Sequence, residues 1–155
     1  MNKVKKGEVL YERREVTDFK DMLEKSTEKY GNKIAFRYKE NEKIVEITFN
    51  EFNSDVTCLG TSLINLGLKD KRIAIVGNNS YKWVVSYFAT VCGTGIVVPI
   101  DKALPINEME NLLNKSEAEA VFFDSKYSEY MINIKKNSKF LKHCLICWIL
   151  IVFRL

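Results

Sequence analysis

Four short stretches in this chain hold residue types that do chemistry elsewhere. Gly77-Asn78-Asn79-Ser80 follows an apolar run and precedes a helix-like segment. That is the carboxyl end of a parallel strand, where open α/β sheets bind ligands and helix N–H groups meet anions. The stretch lacks the GxxxxGK[ST] pattern and a lysine placed for a phosphate, so it reads first as a turn with Ser80 as N-cap, with ligand contact as the alternative. Gly93-Thr94-Gly95 has two glycines of a dinucleotide fingerprint but closes a helix and opens a strand, the reverse of what a phosphate needs; it reads as a tight turn. His143-Cys144-Leu145-Ile146-Cys147 invites a metal or redox reading. Structural zinc takes four ligands and no second pair is suitably spaced, haem attachment places His after the second Cys, and redox CxxC pairs open helices. The pair reads as accidental. His143 is the only histidine, so a histidine-dependent triad would have to form there, and no persuasive serine lies beside it. Trp83, the fourth candidate, sits in an apolar helix and reads as a core anchor. The acidic residues show no pairing for acid–base work. No catalytic, cofactor-binding or metal-ligating residue is assigned.

Composition bounds the remaining classes. The chain has 155 residues, 46% of them hydrophobic, which suits one globular domain with a core rather than a disordered segment. Its net charge of +4, from 24 basic and 20 acidic residues with mixed signs, argues against a nucleic-acid surface. No apolar stretch follows the basic start Met1-Asn2-Lys3-Val4-Lys5-Lys6, so no secretory signal is expected. The cysteines, Cys58, Cys92, Cys144 and Cys147, lack a disulfide framework, and a reducing cytoplasm is the expected compartment.

The elements that would position these stretches are legible from periodicity. Thr17 or Asp18 caps a first helix stopped at Gly31. Ile34, Phe36 and Tyr38, then Val45, Ile47 and Phe49, alternate on either side of the polar turn Lys39 to Lys43, as in a β-hairpin with one buried face. Thr48 and Glu51 have capping-box spacing, and Phe52, Val56, Leu59, Leu63 and Leu66 make one apolar stripe on a helix ended by Gly67. Ile73 to Val76 is a buried strand, Tyr81 to Cys92 a helix, Ile96 to Val98 a second strand ending at Pro99, and Ala120 to Phe123 a third. Pro105 starts the intervening helix, with Ile106, Met109, Leu112 and Leu113 as its buried stripe. The fold class is therefore α/β: a partial parallel sheet, βαβαβ over residues 72–123, preceded by a helix, a β-hairpin and a second helix. The helix at 80–92 is apolar nearly all round, with Lys82, Ser86 and Thr90 as its polar breaks, and needs cover on nearly all sides. Tyr127 to Lys136 suits another helix. The tail from Phe140 ends in an unbroken apolar run, Cys144 to Phe153, too short for the about 20 residues of a membrane span.

Several stretches, taken in order, resemble one family. These are Glu28 to Phe36, Ile47-Thr48-Phe49-Asn50-Glu51-Phe52, Ile73 to Trp83, and Gly95-Ile96-Val97-Val98-Pro99-Ile100-Asp101 followed by Leu104-Pro105. Together they resemble the N-terminal portion of AMP-forming acyl-CoA synthetases, the acyl-adenylate-forming superfamily. Trp83 and Asp101-Lys102-Ala103-Leu104-Pro105 look most like the long-chain fatty acid branch. The resemblance implies a ligase that activates a carboxylic acid with ATP and magnesium to an acyl-adenylate, then forms a thioester with coenzyme A. The family's phosphate loop, adenine–ribose site and mobile-domain lysine have no counterpart in these residues, so no site residue transfers. The expected organisation is an N-terminal fragment of the large domain at 1–136 and an apolar tail at 137–155 that departs from the family pattern, as a reading frame shifted near Phe140 would produce. On that expectation the chain is inactive alone and its partner is the downstream part of the synthetase. A free-standing α/β interaction module, or a subunit of a split synthetase, is the other reading.

Overall fold

The computed structural model describes residues 14–146. The first elements are α1 (Phe19–Tyr30), β1 (Ile34–Glu40), β2 (Lys43–Thr48) and α2 (Phe49–Asn65). They are followed by β3 (Arg72–Val76), α3 (Tyr81–Val91), β4 (Ile96–Ile100), α4 (Ile106–Lys115), β5 (Ala120–Phe123), α5 (Ser128–Asn137) and β6 (His143–Ile146). β1 and β2 form an antiparallel hairpin, and the other strands make a parallel sheet in the order β4-β3-β5-β6. The α/β class read from the pattern is the class observed, with the helix expected at 127–136 present as α5 and a further strand, β6, after it.

Local chemistry explains the boundaries. Asp18, rather than Thr17, caps α1, its Oδ1 accepting from Asp21 N at 2.8 Å. Gly31 is not left-handed (φ −36°); glycine is favoured because a Cβ would lie 2.9 Å from the main-chain oxygen of Thr27. The hairpin turn is shorter than the polar run predicted, because Lys39 and Glu40 still pair with Ile44 and Lys43. Only Asn41 (φ 46°) and Glu42 (φ 64°) leave the ladder, as a two-residue turn of left-handed residues. Phe49 opens α2 instead of ending β2, because Thr48 and Glu51 form a complete capping box. Phe52, Val56, Leu59 and Leu63 are buried as the stripe requires, but Leu66 is 47% exposed. Gly67, at φ +78°, turns the chain there, and Leu68 takes the inner position.

β3 is the centre of the sheet, and Ile73 to Val76 are fully buried. Period-two alternation divides the core. Ile73, Ile75 and Phe122 pack with the stripe of α2 and with Val85 and Ala89 of α3. Ala74, Val76, Val121 and Phe123 pack with Met109 and Leu113 of α4 and Met131 and Ile134 of α5. Leu112 of the predicted α4 stripe is instead 39% exposed. β4 does not stop at Pro99, as its missing N–H had suggested, and runs on to Ile100. Ile96 N donates to Lys71 O, so alternate residues Ile96, Val98 and Ile100 address β3 while Pro99 faces the outer edge, where no donor is required.

Two of the polar breaks of α3 face the core. Ser86 and Thr90 are fully buried, their hydroxyls donating to the carbonyls of Lys82 and Ser86, so no polar group is stranded. The half-buried side instead carries Trp83 stacked on Tyr87 at 5.4 Å, with Phe19 of α1 edge-on to Tyr87 at 6.0 Å.

β6 has no counterpart among the predicted elements; the first residues of the apolar run, His143 to Ile146, pair in parallel with β5. Glu119 sets its start. Its carbonyl accepts from Lys142 N and His143 N, and its carboxylate from Lys142 Nζ at 2.6 Å and pairs with Lys71 Nζ at 2.9 Å.

Two predictions follow from this geometry. Glu42→Gly removes a left-handed strain of about 1 kcal/mol at the loss of one exposed ion pair to Lys39, so the urea midpoint rises by about that equivalent. The hydrogen bonds from Lys142 and Lys71 hold the Glu119 carboxyl below its ordinary pKa of 4.5. Its contribution is therefore complete above pH 4.5 and is lost as pH falls through the lower folded value. Glu119→Gln lowers the urea midpoint at pH 7, and the gap from the parent closes on acidification.

Candidate functional site

β3 leaves the sheet toward α3 on one face, whereas β4 and β5 leave toward α4 and α5 on the other. The carboxyl ends of these strands thus form a topological switch point, the usual ligand position in open α/β sheets. A cleft of about 500 Å³ opens there, between the loop Asn78–Lys82, the end of β1 at Tyr38 to Glu40, and Asp124 to Lys126.

The floor of this region is a polar tie between the ends of three strands. Asp124, just past β5, accepts through Oδ2 from Asn78 N at 2.8 Å and from Asn78 Nδ2 at 2.9 Å. Lys102, just past β4, donates to Asn78 Oδ1 at 2.6 Å, and its own carbonyl accepts from Tyr127 OH. Gly77 leaves room for this carboxylate: a Cβ there would sit 2.8 Å from Asp124 Oδ1, which would have to shift. Ser80 Oγ accepts from Trp83 N at 3.2 Å, so the serine is the N-cap of α3. The wall is aromatic and charged. Tyr81 donates to Asp55 at 2.6 Å and stacks on Tyr38, while Lys82 lies 3.8 Å from Glu40. Lys126 lies over the Tyr127 ring at 4.7 Å.

This arrangement can present cations and amides to a polar or anionic group, but it gathers no nucleophile with a base. The stretch Gly77–Ser80 is therefore both the predicted turn and part of a cleft. Asp124 and Lys102 were missed as site residues, since nothing local in the sequence links them to Asn78. The usable signal was their shared position, each just after a parallel strand.

The other stretches are apart from this site. Gly93-Thr94-Gly95 is a turn: Gly93 has φ +112°, a Cβ on Gly95 would collide with Lys71 O, and Thr94 is buried with its carbonyl accepting from Asp70 N. His143 and Cys144 are successive strand residues and point to opposite faces, so they cannot bind one ion together; Cys147 lies outside the described residues. Burial raises the Cys144 thiol, and burial with the nearby Asp18 charge pushes Cys92 up to about 11, so both stay protonated at neutral pH. Among the described residues no three His, Cys, Asp or Glu side chains gather as a metal site, and the groups present offer magnesium no carboxylate cage.

Comparison with known proteins places this architecture. The family model described as AMP-binding enzyme matches residues 23–151, past Lys136 and through β6. The mitochondrial medium-chain acyl-CoA ligase of Danio rerio is 31% identical over 106 residues, 68% of this chain and 17% of that protein. Long chain acyl-CoA synthetase 4 of Arabidopsis thaliana is 30% identical over 124 residues, 76% of this chain and 19% of that protein. Among solved structures, an anthranilate CoA ligase in complex with anthranoyl-AMP superposes with a TM-score of 0.75 at 24% identity, covering 84% of this chain and 25% of that one. A long-chain-fatty-acid-CoA ligase from Archaeoglobus fulgidus gives 0.73 at 21% identity, with 84% and 27% covered. These likenesses show a shared fold, and the chain spans less than a fifth of the length of those two curated relatives.

The polar tie makes its own prediction. Asp124→Ala removes both hydrogen bonds from Asn78 and lowers stability by about 0.5–1.5 kcal/mol, since the exposed Asn78 donors turn to water. Hydrogen exchange at the Asn78 amide accelerates, while exchange within β3 follows only the global change.

Proposed function

The chain belongs to the AMP-binding enzyme family, and on that premise we propose that it is the N-terminal scaffold of an AMP-forming acyl-CoA ligase acting on a fatty acid. The observation that carries this reading is the match over residues 23–151, which takes in every parallel strand of the sheet. Acyl-CoA ligases named for medium- and long-chain substrates among the relatives support the fatty acid class.

An enzyme of this kind uses ATP to convert a carboxylic acid into an acyl-adenylate with release of pyrophosphate, then passes the acyl group to coenzyme A. Magnesium supplies charge neutralisation of the phosphates. The residues of this chain contribute the sheet and the cleft at its switch point. The sequence has no Ser/Thr/Gly-rich phosphate loop, and among the described residues the cleft gathers no base with a nucleophile; on this reading the scaffold is inactive by itself and takes the remaining ligase polypeptide as its partner. A cytoplasmic setting is in keeping with Cys58, Cys92 and Cys144, which are free thiols. No described helix is long and apolar enough to cross a membrane.

Fatty-acid-dependent ATP–pyrophosphate exchange tests the reading. The isolated chain is expected to give only the blank rate, and co-expression with the polypeptide encoded directly after it is expected to restore exchange and acyl-CoA formation. Exchange by the isolated chain overturns the claim of inactivity. Silence after co-expression overturns the assignment as a ligase scaffold.

A further inference from the structure

We draw no further inference here: the strongest candidate, the half-buried aromatic side of α3 on which Trp83 stacks on Tyr87 beside the exposed Phe19 of α1, is an apolar surface patch, and nothing in the structure shows what covers it.

Discussion

The structure depends on one constraint: β3 has no free side. Its residues Ile73 to Val76 are fully buried, each of its two edges is paired, and each of its faces meets a different helix layer. Main-chain groups removed so completely from water must be bonded within the sheet. Because the neighbours run parallel to β3, each connection must be a crossover with a helix rather than a tight turn. The order of elements after residue 72, and the placing of α3 opposite α4 and α5, follow from satisfying this one strand.

Two carboxylates tie the ends of the strands that the apolar core packs. At the amino ends, Glu119 joins the starts of β3, β5 and β6 through Lys71, Lys142 and two main-chain donors. At the carboxyl ends, Asp124 and Lys102 close on Asn78. The second tie leaves the floor of the cleft polar and well defined, and it engages the main-chain N–H and the side-chain amide of Asn78. The curated relatives compared above are matched over less than a fifth of their length.

α3 shows how a core tolerates polar residues. Ser86 and Thr90 are small, bond back to their own helix, and allow close packing on the inner side. The large aromatic residues Trp83 and Tyr87 are displaced to the half-buried side, where stacking with each other and contact with Phe19 compensate for incomplete cover. Hydroxyls, unlike charges, lose little on burial when the i−4 carbonyl accepts them.

By itself the sequence determined several features that depend on neighbours along the chain. The hairpin alternation from Ile34 to Ile47, the capping box at Thr48 and Glu51, the Ser80 cap and the apolar runs at β3 and β5 are local patterns with local causes. Only the tertiary structure decided what depends on distant partners. It kept β4 running through Pro99 because that residue faces an edge, drew His143 to Ile146 into the sheet through Glu119, and joined Asn78 to Lys102 and Asp124. The physical reason is the same in each case. A main-chain donor or a side-chain polar group is defined by the atom opposite it, and in a parallel sheet that atom belongs to another part of the chain, reached through a crossover.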